Sequence, residues 1–231
     1  MPPTRPTRAA PPTSSRATAP VPTAPRAAGP CPVCGRAVHR AGPVCFCCRT
    51  VADQLGLPLV RLVALCEYQV GDRTHRRLRA YKDAASAEGR AASRRVLVER
   101  LSRWERSGGP EALDAGPGRA VVTTVPSSRR PGDPPVAVLV GAVPGLADRH
   151  VPLLVRGPGP IGHLRADRTA FALADGVDRT LLARWSVLVV DDTTTTGAAA
   201  QSAAAALRLA GARVVAAVAL GRAVAPPRPH R

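Results

Sequence analysis

Apolar residues fall in blocks whose spacing changes along the chain, and the changes mark secondary-structure elements. Trp185–Val190 is an almost unbroken run of apolar and β-branched residues, and Val187, Val189 and Val190 suit a strand buried on both faces, as in a parallel sheet covered by helices. The alanine-rich stretch from Ala198 to Gly211 is a strong helix former, and Val214–Leu220 reads as the strand that follows it. Upstream, Leu57–Tyr68 reads as an apolar strand or short helix. Ala84–Trp104 reads as an amphipathic helix with Val96, Leu97, Leu101 and Trp104 on its apolar side. Val121–Val125 is a strand closed by Pro126, Val136–Val140 is read as a further strand, and Gly109–Pro117 as a surface loop. Strand, helix and strand in series make a βαβ unit. The expected fold class is therefore α/β, an open, mostly parallel sheet flanked by helices.

The pattern also bounds the folded part. Residues 1–28 hold proline, alanine, threonine, serine and four arginines, with no acidic and almost no large apolar side chain, so they cannot repay the entropy of ordering and are expected to be a disordered tail. Ala223–Arg231 reads as a second loose tail. Between them we expect a small cysteine-bearing unit over 29–55 and a larger domain over 56–222. No secretory h-region and no uninterrupted apolar run of membrane-spanning length is present, which predicts a cytoplasmic protein without a membrane span.

The end of the Trp185–Val190 run carries the candidate chemistry. A carboxylate is too costly to bury unpaired, so Asp191 and Asp192 are expected at the carboxyl edge of the sheet, where ligands of open α/β sheets bind. Thr193, Thr194, Thr195 and Thr196 add hydroxyls and backbone N–H groups, and Gly197 permits a tight turn at the start of a helix that can hold a phosphate. Carboxylates just before such a turn can accept hydrogen bonds from a sugar diol and draw hydrated Mg2+ toward a polyphosphate. An ordinary Asp- or Thr-capped helix is the plainer explanation, but a cap needs one such residue and this turn spends six.

Cys31-x-x-Cys34, a ten-residue spacer and Cys45-x-x-Cys48 have the spacing of two metal-gripping knuckles, a structural Zn2+ site. Cys47 leaves the register of the fourth ligand open, although only Cys48 completes the second x-x spacing. Disulfides are the competing use of these cysteines. His39 is expected to be solvated, and Cys66 to be a small buried hydrophobe.

The segment Val187–Gly197, VLVVDDTTTTG, resembles the phosphoribosyl-pyrophosphate signature of type I phosphoribosyltransferases. Together with the cysteine pairs it is similar to the ComF family, in which a short zinc ribbon precedes a phosphoribosyltransferase-like domain. The resemblance extends, unevenly, over Cys31–Arg222 and includes LCEY at Leu65–Tyr68, LRAYK at Leu78–Lys82 and VVTTVPSSRR at Val121–Arg130. It implies ribose contacts from Asp191 and Asp192, a 5′-phosphate held by Thr193–Gly197, and a pyrophosphate position at Arg129 and Arg130, whose guanidinium forks suit phosphate oxygens. Lys82, the one lysine of the chain, is either a point charge for a phosphate or an exposed helix-terminal residue, and core packing is the favoured role of Tyr68 and Tyr81. The Gly-Phe-Asn segment usual after the basic loop is replaced by PGDPPVAVLVG. Arg156, His163, Arg165 and Arg168 loosely match an arginine-rich stretch, read as a flap over the ligand or as a solvated basic face.

The resemblance implies transfer of a ribosyl 5-phosphate to or from a nitrogen nucleophile, with Asp191, Asp192 and Arg129 as the catalytic set. It equally accommodates a non-catalytic protein that senses phosphoribosyl pyrophosphate or a nucleotide and acts on a protein partner in DNA uptake or processing. A formal net charge of +17 and a pI near 11.5 favour non-specific contact with DNA, whereas 3% aromatic residues are too few for an extended base-stacking platform.

Overall fold

A computed structural model describes residues 29–38, 42–113, 120–127 and 134–225. Residues 1–28 and 226–231, with His39, Arg129 and Arg130, lie outside the described residues. The elements in chain order are α1 (Phe46–Leu55), β1 (Arg61–Ala64), β2 (Glu67–Tyr68), α2 (Arg73–Asp83), α3 (Ala87–Arg106) and α4 (Gly109–Leu113). They continue with β3 (Val121–Thr124), α5 (Pro135–Gly141), α6 (Pro144–Ala147), β4 (Leu154–Arg156) and β5 (Phe171–Leu173). The last elements are α7 (Arg179–Leu182), β6 (Ser186–Thr194), α8 (Ala198–Leu209) and β7 (Arg213–Ala223).

The main sheet runs β1-β7-β6-β3 and every pairing in it is parallel. β2 also pairs with β7, directly beyond β1, so that Arg61–Tyr68, the second part of the expected Leu57–Tyr68 element, forms one edge interrupted near Leu65–Cys66. β4 and β5 form a separate antiparallel pair. The expectation of an α/β protein with a parallel, helix-flanked sheet is met, and β6 and β7 are its central strands.

Alternation along β6 divides the core in two. Val187 and Val189 face α8, the cysteine segment and the β4–β5 pair, among Ala200, Ala203, Ala204 and Leu207. Leu188 and Val190 face α2, α3, α5 and α6, among Leu78, Tyr81, Leu97, Leu101 and Leu139. These strand residues are at most 1% exposed, which is the two-sided burial that their apolar run predicts.

Several elements depart from expectation. Val136–Val140 is not a strand but lies within α5, because Pro135 opens a helix there and the buried positions Val136, Leu139 and Val140 follow helical spacing while Val138 is exposed. The long helix begins at Ala87, where the Ser86 hydroxyl accepts from Gly89 N, and α2 precedes it as a separate helix capped by Asp72. Its buried stripe is Ser93, Leu97 and Leu101, with Val98 and Trp104 packed against that core; Val96 lies on the arginine-bearing side. Gly109–Leu113 is a helical turn rather than loop, and the remainder of Gly109–Pro117 lies outside the described residues. β7 continues through Ala223, and Val224 N donates to Tyr68 O, so these two residues of the expected Ala223–Arg231 tail belong to the sheet. Among the described residues no helix is long and apolar enough to cross a membrane.

Candidate functional site

The carboxyl end of β6 brings the acidic pair together with the Thr/Gly turn. The strand does not stop at the aspartates: ladder pairing with β7 extends to Thr193 and Thr194, opposite Gly221 and Arg222. The two carboxylates consequently point to opposite faces and meet different surroundings. Asp191 corrects the expectation that both would emerge into solvent, for it is only 8% exposed. Burial, and then the neighbouring Asp192 charge, push its carboxyl up to about 8, against the opposing effects of the Asp192 N–H and Lys82. A neutral carboxyl can be buried where a carboxylate cannot, and its Oδ1 accepts from Asp192 N at 2.8 Å.

Asp192 is the ion-paired member. Its Oδ2 accepts from the Tyr81 hydroxyl at 2.6 Å and from Lys82 Nζ, and its Oδ1 from the Thr193 hydroxyl at 3.0 Å. Consecutive residues near the end of α2 thus reach one carboxylate oxygen. Lys82 is therefore neither a solvated helix end nor a remote charge: it forms an ion pair at the acidic edge and lies 5.4 Å from the Tyr81 ring centroid. Tyr81 combines the core packing expected of it, at 0% exposure, with a polar link to the site. Its position next to Lys82 in LRAYK was the signal available for that second role.

The turn itself is built by Gly197. Its φ of 86° belongs to the left-handed region, and a Cβ there would stand 2.7 Å from Leu62 Cδ2, so glycine is needed for both conformation and space. The first helical bond of α8 runs from Gln201 N to Gly197 O, so the N–H groups of its first turn have no partner within the helix, the situation in helix N-termini that receive anions. Thr196 does structural work: its hydroxyl donates to His163 O and is 3.4 Å from Ala198 N. Thr193 and Thr195 are the half-buried hydroxyls of the turn, and Thr194 is buried. Buried Gln201 fixes α8 to the strand edge by donating to Val60 O at 2.8 Å and accepting from Val60 N at 3.0 Å, a clamp that no sequence motif announces.

The arginine-bearing stretch over 156–171 is tied to backbone. Arg156 donates to Ala170 O and Gly159 O, and Arg168 to Leu55 O. Tyr68 is buried and stacks on His75 with centroids 5.7 Å apart, a packing role.

The second centre is the cysteine cluster. The Sγ atoms of Cys31, Cys34, Cys45 and Cys48 all lie within 4.8 Å of one another, and each residue is 2–7% exposed. Gly35, at φ 74°, turns the first pair, while Cys45 caps α1 and places Cys48 in its first turn. The Cys34–Cys45 sulfur separation of 3.6 Å approaches the roughly 3.8 Å edge of a tetrahedron with zinc–sulfur bonds of about 2.3 Å. No disulfide joins any of the six cysteines in this structure. Cys48, not Cys47, completes the set; Cys47 instead receives Arg36 Nη1 at 3.8 Å. Cys66 is half-buried and its thiol donates to Leu220 O at 3.1 Å.

The protons of these sulfurs favour a cation. The hydrogen bond with Cys48 pulls the Cys34 thiol down to about 5, whereas the bond with Cys34, reinforced by burial, raises Cys48, and burial raises Cys45. One thiolate is stabilised at the expense of its neighbours. A divalent ion bound by four thiolates removes that conflict, and the donor set fits a metal ion such as zinc. No protein-family model matches this chain, and no curated protein matches it.

Proposed function

We propose that the protein is phosphoribosyltransferase-like, similar in plan to the ComF family, and binds phosphoribosyl pyrophosphate with Mg2+ at the carboxyl edge of its sheet. The observation that carries this reading is the placement of Asp191 and Asp192 at the end of a central strand, followed directly by a glycine turn and the N-terminus of α8. In this reading Asp192, oriented by Tyr81 and Lys82, accepts from the ribose diol. Asp191, neutral near pH 7, donates or accepts beside it. The backbone of Thr194–Gly197 receives the 5′-phosphate, while Arg129 and Arg130 address the pyrophosphate together with Mg2+.

Transfer breaks the bond from the anomeric carbon to the pyrophosphate oxygen, which leaves with the electron pair, and forms a bond to a nitrogen nucleophile that then loses its proton. Positive charge develops on the sugar ring and negative charge on the leaving group, so positioning and electrostatic preorganisation supply the catalysis. Bound Mg2+ would neutralise the pyrophosphate. Zinc, as the occupant of the cysteine cluster, has a structural role in this proposal.

A second reading, contact with nucleic acid, is favoured by the distribution of charge. Residues 73–106, α2 and α3, carry ten arginines and Lys82 against four carboxylates, a formal +7; residues 134–225 carry nine arginines against six aspartates, +3 in a far longer stretch. Such a face attracts phosphate backbones without reading bases.

Thermal denaturation tests the first reading. Phosphoribosyl pyrophosphate with Mg2+ is expected to raise the midpoint by several degrees more than ribose 5-phosphate or pyrophosphate alone at equal concentration, because only that ligand joins the ribose 5-phosphate held by the acidic pair and the turn to the pyrophosphate that Mg2+ and the arginines address. Equal shifts with duplex DNA but none with any of the three would transfer the function to the arginine-rich helices.

A further inference from the structure

We propose that metal occupancy of the cysteine cluster sets the geometry of the Thr193–Gly197 turn, so that the two centres form one coupled unit on one face of the sheet. Three separate connections lead from the cysteines to the turn. The first leaves the Cys31–Cys34 knuckle at Val33, whose carbonyl accepts from Leu62 N at 2.7 Å; the Leu62 side chain in turn occupies the space beside Gly197. The second leaves the same knuckle at Cys34, whose carbonyl accepts from Arg222 Nη1. Arg222 lies opposite Thr194 in the β6–β7 ladder and is 6% exposed, an unusual burial for a guanidinium. Its Nε has no hydrogen-bond acceptor and only a long ion pair of 3.9 Å with Glu67, so the Cys34 carbonyl is its main anchor.

The third connection leaves the Cys45–Cys48 knuckle through α1, which begins at Cys45. Val51 and Leu55 of α1 pack with Ala166 and with Ala198 and Ala205 of α8, the helix whose N-cap is Gly197. Gln54 holds the neighbouring segment by donating to Leu164 O at 2.9 Å and accepting from Ala166 N at 2.7 Å. That segment supplies the His163 carbonyl to Thr196 Oγ1. One ion gripped by both knuckles therefore fixes Leu62, Arg222 and α1 relative to one another, and all three abut the turn. The opposite face has its own core around Leu97, Leu101 and Leu139 and is not part of this chain of contacts.

Hydrogen exchange of the full-length protein, compared with and without a chelator that strips the metal, tests the coupling without any organic ligand. Amides of 45–55, 162–168 and 195–205 are expected to exchange about tenfold faster or more after stripping, while those of α3 and α5 keep their protection. Acceleration confined to 31–55 would overturn the proposal, since the cluster would then be a local staple. Uniform acceleration that includes α3 and α5 would also overturn it, since the metal would then hold the whole domain. Arg222→Met, with metal content verified, isolates the second connection: faster exchange at 193–197 with 45–55 unchanged is expected, and an unaltered turn would contradict the assigned role of Arg222.

Discussion

The two faces of the central sheet are closed by different means. On the α3 side, large side chains that are almost wholly buried, Leu78, Tyr81, Leu97, Leu101, Leu139 and Leu146, fill the space between strands and helices. On the α8 side the helix offers mainly alanine, at Ala200, Ala203 and Ala204, beside Leu207, and the remaining volume is filled by Leu62, Leu153, Leu182, the β4–β5 pair and four sulfurs. Dispersion and burial suffice for the first face. Small side chains bring α8 close to the strands but bury little area, and the polar bridges of Gln201, Gln54 and Arg222, together with the cysteine cluster, complete the second. The candidate ligand site sits where the two faces meet, and takes Asp191 from one and the Asp192 partners, Tyr81 and Lys82, from the other.

That contrast is sharpest under loss of metal. Cys31→Ser combined with Cys34→Ser should remove a contribution on the order of 10 kcal/mol to the ordering of 29–55, because metal binding in such a segment is folding free energy. The check is metal stoichiometry together with circular dichroism, which should retain most helical signal if the α3 face stands by itself. Leu101→Ala reverses the perturbation. It should lower unfolding free energy by about 2–5 kcal/mol in urea while metal affinity stays within twofold, and a large fall in affinity would break the separation of the faces.

Asp191 gives a pH-dependent contrast at their junction. With its carboxyl raised to about 8, the folded protein holds a proton that the unfolded chain releases near its ordinary value of 3.8. Its contribution to stability is therefore fully present below about 4, and declines as pH rises from there through about 8. Asp191→Asn should flatten that decline and make the variant more stable than wild type at pH 8, by about 1–3 kcal/mol, in urea titrations across this range. An unchanged decline in the variant would mean that Asp191 is ionised in the fold. The smallest effect expected is that of Tyr81→Phe, about 1–2 kcal/mol from the lost hydroxyl bond to Asp192, with the packing of the ring retained.

Periodicity made the central strands legible, since a run buried on both faces has no other use for Val187, Leu188, Val189 and Val190. The cysteine spacing likewise pointed to the cluster, with only the choice between Cys47 and Cys48 left open, because local turns bring each pair together. Legibility failed where tertiary context decides between local options. Val136–Val140 is β-branched enough to read as a strand, yet Pro135 and a one-sided environment make it helical. Asp191 read as exposed because a buried carboxylate is costly, and the fold meets that cost by raising its proton affinity. The bracing by Gln201, Gln54 and Leu62 joins residues more than a hundred positions apart, and single-residue identities carry no trace of it.

The proposed ligand site is tested most directly by calorimetric titration of phosphoribosyl pyrophosphate, with and without Mg2+, into the metal-loaded wild type and into Asp192→Asn, each with its fold confirmed. The account predicts Mg2+-dependent binding to wild type, weakened at least tenfold in Asp192→Asn through loss of the carboxylate that Tyr81 and Lys82 orient. Equal affinity in the two proteins, or no heat with wild type, would contradict it.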